Sequence, residues 1–385
     1  MSSRVQLPPP AAGKIDLLVI AGEHSGDQHG AAMIRGALAK NPGLKIAALG
    51  GPEIAASGAQ LLYDLTATSV VGFVEVLAHA RFFLSLGSAT LSWIKEYQPR
   101  AVCFIDYPGF NLRLAEAMRV KGLSTKGGGD IAALYYISPQ IWAWKACRRF
   151  DMAATLDALA VIFPFEVACY ADTRLPVSFV GHPFISGDYA APVSYDPAGP
   201  ILLLPGSRRQ AVKRIFPVLL NAFESLSIRR DAVVLYPSDA VRSVLEAAKP
   251  PPSVSLQKTG TPVAASAVLT SSGTMSMHCA LAGIPGAIVY RTNPITYFFG
   301  RLLVKTEYIG IANLLLRRPM YPEFIQGDAR AALLAAELYN CLTDRERRAV
   351  TASMAAQLHE ILRQPSSGTA SDWLLQRLKA VSYKP

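Results

Sequence analysis

Charge is scarce in this chain. Only 17% of its 385 residues are Asp, Glu, Lys or Arg, against about 25% in an average soluble protein. Hydrophobic residues make up 51%. That balance excludes a disordered or low-complexity chain, which needs the opposite composition. Negative charge is the scarcer sign: 28 acidic residues face 38 basic ones, for a net +10. A basic, apolar surface suits anionic partners such as phosphates, nucleic acid or an anionic membrane. Cysteine is also sparse. The five thiols, at positions 103, 147, 169, 279 and 341, form no CxxC pair. An odd, unpaired set excludes a disulfide framework or a structural zinc site, and it fits a reducing cytoplasm. The first 14 residues lack an apolar signal core, and the run Ile15–Ala21 ends early at Gly22-Glu23. It reads as a strand, so no signal peptide is expected. The longest uncharged stretch, Thr259–Tyr290, is long enough to cross a bilayer. Pro262, Ser271-Ser272-Gly273, Gly283 and Pro285-Gly286 break it into strand, loop, helix and strand. Membrane contact, if any, is therefore expected to be peripheral. No 20–50-residue repeat, GxGxxG, Walker A loop or DxD pair occurs. His24 and His29 are five apart, which misses the i, i+4 spacing of a helical zinc pair.

What is present is alternation. Short apolar runs at Ile15–Ala21, Ile46–Gly50, Ala101–Ile105, Ala132–Ile137, Leu159–Phe163 and Val177–Val180 are separated by stretches of helical period, such as Gly30–Lys40 and Asn111–Lys121. Near-continuous apolar strands alternating with helices predict a parallel sheet covered on both faces. Residues 186–200, rich in Gly, Pro, Ser and Asp, read as a linker. The alternation restarts at Ile201–Leu204, Val233–Tyr236, Val254–Leu256, Ala265–Leu269 and Ala287–Tyr290, followed by helix over Ala329–Leu362 and a last helix at Ser371–Val381. The expected fold is α/β, with two Rossmann-like, doubly wound domains over 1–190 and 191–362. Residues 363–385 form a closing helix that packs on the first domain or on a partner. Ligands of such folds bind at the C-terminal ends of the strands, here in a cleft between the two domains.

Seven segments carry chemistry. In LLVIAGEHSGDQHGA (17–31) a strand enters a glycine-punctuated turn and then a helix. An ordinary βα turn capped by Ser25 or Asp27 competes with an anion-binding loop there. In AVCFIDYPGFNLRLA (101–115), Asp106 stands at the end of a buried strand before a Pro-Gly turn. That placement suits either a general base or a capping carboxylate. LLLPGSRRQAVKR (202–214) brings backbone N–H groups at Gly206, the Ser207 hydroxyl and the Arg208 guanidinium to a helix start. This is a donor set fit for pyrophosphate. In SSGTMSMHCALAGIPGAIVYR (271–291), Ser272, Gly273 and Thr274 open another helix with small groups. YYISPQIWAWKACRR (135–149) clusters aromatics with a cationic tail, as core or as a sugar or acyl surface. ITYFFGRLLVKTEYIG (295–310) and AHARFFLSLG (78–87) set apolar bulk beside cations, in the manner of an interfacial helix.

Taken in order, these segments resemble the lipid-A-disaccharide synthase family of glycosyltransferases. The likeness runs over about residues 15–330 through AGEHSGDQHGA, the stretch 49–77, FIDYPGFNL, YYISPQIWAWK, FPFE (163–166), FVGHP (179–183), LLPGSRR, SSGT…GIP and the stretch 304–326. The resemblance implies a GT-B architecture. It casts the first domain as the acceptor and lipid side and the second as the UDP-sugar side. The implied reaction is inverting transfer from UDP-2,3-diacylglucosamine to 2,3-diacylglucosamine 1-phosphate, giving a β-1,6 disaccharide 1-phosphate and UDP. Another UDP-sugar enzyme of the same architecture, or a relative without catalysis, remains the alternative.

The same resemblance casts Asp106 as the base and Arg208 as the stabiliser of departing UDP. Gly206, Ser207, Ser272, Gly273 and Thr274 support the diphosphate. Glu23, Ser25, Gly26 and Asp27 line the cleft, and Asn313, Glu323 and Gln326 help hold the donor. His278 stands where the family usually has a ribose-binding Glu, and could still bond a hydroxyl. Gly109 replaces the second Asp of the pattern IDxPDFN, and Ala312 a usual Pro. No metal or other cofactor is expected, and no nucleic acid. The expected location is the cytoplasmic face of the inner membrane, as a peripheral protein; a homodimer is compatible.

Overall fold

The computed structural model describes residues 5–11, 13–66, 76–185, 189–293, 297 and 307–381. The chain divides into two compact units, Met1–Pro183 with Gln364–Pro385, and Phe184–Arg363.

The N-terminal unit is built on seven strands, the five inner ones buried along their whole length. The seven are β1 (Leu17–Ala21), β2 (Ile46–Gly50), β3 (Gln60–Asp64), β4 (Ala101–Ile105), β5 (Ala132–Tyr136), β6 (Ala158–Val161) and β7 (Val177–Phe179). Every residue of β1, β2, β4, β5 and β6 is buried, as a sheet sandwiched between helices requires. All pairings are parallel, in the order β3-β2-β1-β4-β5-β6-β7. In register, Leu17 lies between Ile46 and Ala101. The crossovers are α1 (His24–Lys40), α2 (Pro52–Ala56), α3 (Val76–Tyr97), α4 (Pro108–Val120) and α5 (Arg148–Thr155).

The C-terminal unit repeats the plan. A two-stranded ribbon joins β8 (Val193–Tyr195) to β12 (Val263–Ala265). The main sheet holds β9 (Ile201–Leu204), β10 (Ala232–Tyr236), β11 (Val254–Lys258), β13 (Ala267–Thr270), β14 (Gly286–Tyr290) and β15 (Glu323–Ile325), in the order β11-β10-β9-β13-β14-β15. Its helices are α6 (Arg209–Glu224), α7 (Asp239–Ala247), α8 (Thr274–Leu281), α9 (Ile311–Leu316), α10 (Ala331–Thr343) and α11 (Arg345–Leu362). The last helix, α12 (Ala370–Ala380), belongs to the N-terminal unit and packs on α1. A Thr369–Asp372 capping box starts it, and Lys40 reaches Asp372 at 2.6 Å.

Both sheets are doubly wound, each with its own apolar core. In each, the strand order reverses beside the first strand: between β1 and β4, and between β9 and β13. Loops leaving adjacent strands in opposite directions open a crevice there, the usual ligand position in such sheets. The expected strand at Ala265–Leu269 proves to be two. Ser266 turns the chain by bonding Pro200 O through its N–H at 3.0 Å, and β12 and β13 enter different sheets. No helix among the described residues is long and apolar enough to cross a membrane. The expected interfacial segment 295–310 falls mostly outside the described residues. The segment 78–87 forms part of α3, where Leu84 is exposed.

Candidate active site

At the N-terminal reversal, β4 ends in an unusual turn. Asp106 and Tyr107 both adopt left-handed backbone, with φ of +45° and +48°. Two consecutive non-glycine residues in that region carry real strain. The turn is pinned from three sides. Asp106 N–H donates to Tyr136 O at 3.0 Å. The Asp106 carbonyl accepts from Tyr135 Oη at 2.6 Å and from Asn111 Nδ2 at 2.8 Å. Pro108 then occupies the first position of α4, where its missing N–H costs nothing. The Tyr107 ring packs on the loop after β1. A Cβ at Gly22 would stand 2.2 Å from that ring, so the close approach requires glycine. Asp106 is half-buried and Gly109 is exposed.

Loops after β5, β6 and β7 add an aromatic wall. Trp142 Nε1 donates to Glu166 Oε1 at 3.2 Å, and Phe163 N–H donates to Glu166 Oε2 at 3.2 Å. Phe163 stacks on Phe165 at 5.8 Å and lies 5.1 Å from the His182 ring, while Trp142 meets Phe165 edge-on at 5.3 Å. Glu166 is 1% exposed. Burial pushes its carboxyl up to about 8, hydrogen bonds from Trp142 and from the backbone at Phe163 and Ile162 oppose that, and the Asp106 charge adds to the rise. The same field, after burial, raises the Tyr135 phenol well above its ordinary value. A neutral acid thus stands within electrostatic reach of a carboxylate.

At the C-terminal reversal, two helix starts come together. Ser271 N–H donates to Leu204 O at 2.8 Å, tying the loop after β13 to the end of β9. Gly206, at φ +111°, passes beside Ser271. Arg208 caps α6 and Gly273 caps α8, and neither helix has a side-chain cap bond. N–H groups at such helix starts suit an anion. Ser207, Arg208, Gly273 and Thr274 are exposed, and Ser272 is half-buried.

Other expected site residues have internal tasks. Asp27 is fully buried, and its carboxylate accepts from the N–H groups of Gly51, Glu53 and Ile54 at 2.7, 3.0 and 3.1 Å. It anchors the start of α2 instead of lining an opening. Gly26, in the first turn of α1, is buried against Ala21 and Ile105. Glu23 and Ser25 stay half-exposed at the helix start. Asn313, fully buried, donates to Tyr321 O and Glu323 Oε1 at 2.7 and 2.8 Å. Its Oδ1 accepts from Met320 N and Tyr321 N at 2.9 and 3.0 Å. Glu323 accepts from Ile309 N and Gly310 N, both at 2.9 Å, holding the turn that leads into α9. Gln326 brackets Thr292, accepting from its N–H at 2.8 Å and donating to its carbonyl at 3.1 Å. These three side chains spend their polar groups on folding the loops beside β14 and β15. His278 Nδ1 pairs with the Tyr189 hydroxyl, and its ring stacks on Phe184 at 3.8 Å. It lines a cavity of about 410 Å³ with Val193, Tyr195, Leu281 and His359. A second cavity, about 420 Å³, lies beside Ile15, Ile46 and Gln60 at the starts of β1, β2 and β3, the strand end away from Asp106. Among the described residues, no three His, Cys, Asp or Glu side chains gather in a metal-ligating group.

With this geometry in view, known proteins are informative. A family model described as lipid-A-disaccharide synthetase matches residues 17–376. The chain belongs to the lipid-A-disaccharide synthase family. The synthase of Nitrosococcus oceani is 35% identical over 347 residues, covering 86% of this chain and 88% of that one. The Geobacter sulfurreducens synthase is 36% identical over 349 residues, covering 85% and 88%. Lipid-A-disaccharide synthase 1 of Legionella pneumophila is 33% identical over 377 residues, covering 92% and 94%. Membership makes the chain a glycosyltransferase of lipid A biosynthesis. Among solved structures, the fold matches the Neisseria meningitidis UDP-GlcNAc 2-epimerase at TM-score 0.58 and 11% identity, covering 94% of this chain and 99% of that one. It also matches the calicheamicin glycosyltransferase CalG4 at TM-score 0.56 and 15% identity, covering 96% and 100%. At such identities the likeness concerns the GT-B fold alone.

Reading the sequence alone overlooked Glu166, Tyr135, Asn111 and Tyr107. Tyr107 and Asn111 share the segment of Asp106, Tyr135 lies in the aromatic segment 135–149, and Glu166 closes FPFE. The signal available was a lone acid in the otherwise apolar FPFE, and an Asn five residues after Asp106.

Proposed function

We propose that this synthase joins UDP-2,3-diacylglucosamine to 2,3-diacylglucosamine 1-phosphate by one inverting displacement. The observation that carries the reading is the Asp106 turn: a carboxylate held on strained backbone at the reversal of a doubly wound sheet. Asp106 takes the proton of the acceptor 6-hydroxyl as that oxygen attacks the donor anomeric carbon. The bond from that carbon to the diphosphate breaks, and UDP leaves with the electron pair. Arg208, Ser207 and the N–H groups at the starts of α6 and α8 offset the charge that develops on the diphosphate. No step is assigned to a metal; the chain carries no DxD pair, and the reading gives that work to Arg208 and the helix ends. The net charge of +10 supports peripheral attachment to the anionic cytoplasmic face of the inner membrane.

The test is UDP release in detergent micelles from the two acylated substrates, with UDP-N-acetylglucosamine as the unacylated control. Turnover should require both acylated substrates. Asp106→Ala should cut it to a small residual rate. Arg208→Ala should cost about 2–4 kcal/mol of transition-state stabilisation, roughly one and a half to three orders of magnitude in rate. Equal use of the unacylated donor, or full activity in both variants, would overturn the reading.

A further inference from the structure

We propose that Tyr135 and Asn111 are positioning residues that aim the Asp106 carboxylate by gripping a single backbone carbonyl. The inference rests on the reading of Asp106 as the base.

Both backbone torsions flanking the Asp106–Tyr107 peptide bear on where the carboxylate points. Asp106 and Tyr107 are held at φ +45° and +48°, a conformation an aspartate or tyrosine leaves when nothing restrains it. The restraint converges on the Asp106 carbonyl. Tyr135, on β5, donates its hydroxyl at 2.6 Å, and Asn111, in the first turn of α4, donates its amide at 2.8 Å. The Tyr136 carbonyl holds the Asp106 N–H at 3.0 Å. Two elements, β5 and α4, thus fix the two peptide planes on either side of the Asp106 Cα.

The Asn111 amide shows what the arrangement gives up. Its Nδ2 faces the carbonyls of Ile20, Ile105 and Asp106 at 3.4, 3.2 and 2.8 Å. Its Oδ1 is buried with no partner among the described residues. An orphaned acceptor is unfavourable in a protein interior. The side chain is turned wholly to donation, and the shortest of its bonds goes to the strained turn. Tyr135 is fully buried, and burial with the nearby Asp106 charge keeps its phenol a neutral donor. A donor that never ionises in the working range holds the carbonyl at every pH at which Asp106 can act.

Tyr135→Phe removes one oxygen and leaves the ring in place. In the micelle assay kcat should fall roughly tenfold while KM for both substrates stays within about twofold. In an Asp106→Ala background the same change should have no further effect, because there is no carboxylate left to aim. Amide exchange over residues 104–110 should quicken, with the rest of β4 and β5 still protected. Asn111→Ser, which attacks the same carbonyl from α4, is run through the same cycle in case one variant folds poorly. Wild-type kcat in both variants, with Asp106→Ala at a small residual rate, would overturn the positioning role and spare the base. Losses that simply add in the double variant would reduce both residues to structural parts. Full activity in Asp106→Ala would overturn the base reading and the positioning role together.

Discussion

The Glu166 carboxyl has an ordinary value of 4.5, and in the folded chain burial carries it to about 8. Below pH 4.5 both folded and unfolded chains hold the proton, and the shift has no effect. Between 4.5 and 8 the unfolded chain releases it and the folded chain does not. Stability therefore falls as pH rises through that window, by up to a few kcal/mol, at about 1.4 kcal/mol per pH unit. Denaturant midpoints measured from pH 5 to 8 should show this decline in the wild type and a flatter line in Glu166→Gln. Parallel lines would remove Glu166 as its source. A second residue-scale expectation concerns Gly109, where the family pattern has Asp. A Cβ there meets nothing within 4 Å. Gly109→Asp should fold with stability within about 0.5 kcal/mol of wild type, and assay then reports what a second carboxylate near Asp106 does. Gly22→Ala should behave oppositely. Its Cβ would sit 2.2 Å from the Tyr107 ring, so a loss of about 1–3 kcal/mol and a displaced Asp106 turn are expected from melting and kcat.

At the scale of elements, hydrogen bonds decide which motif residues serve the fold. Asn313 satisfies four polar groups in the loop between α9 and β15. Asn313→Ala should destabilise by about 1–3 kcal/mol for each group left buried and unpaired, with kcat per folded molecule unchanged. A fall in kcat without loss of stability would return Asn313 to the donor site. The element plan was legible in the sequence wherever a strand is buried on both faces. β2, β4 and β9 begin and end where their apolar runs do. β3 escaped notice because it is an edge strand in which only Leu62 is buried, so hydrophobicity hardly marks it. β15, three half-buried residues, escaped for the same reason. The site was legible only as segments. Asp106 and Arg208 could be named from strand ends and glycine turns. That Asp27, Asn313 and Glu323 turn inward could not, because an aspartate capping a neighbouring helix and one facing a ligand have the same local sequence. Partners 24 to 27 residues away along the chain settle that for Asp27.

At the scale of the whole molecule, each unit has its own core and its own parallel sheet. The division is not a cut at one point, since α12 returns to the unit that holds β1. Trp373, Leu374 and Leu378 are buried there at 3%, 0% and 2% exposure. Fully burying each such side chain is worth about 1.5–3 kcal/mol, so truncation after Arg363 should remove several kcal/mol from that unit alone. Hydrogen exchange should show β1 to β7 losing protection while β9 to β15 keep theirs. Uniform loss across both sheets would mean that the units do not melt separately.

Synthesis of the chain gives the position of α12 a temporal meaning. Residues 184–363 form one uninterrupted stretch and can close their core while still being made. The first unit, begun earlier, is completed later. Until α12 emerges from the ribosome, the α1 surface it covers is bare, and the half of the enzyme that carries Asp106 waits on residues made after the whole of the other unit.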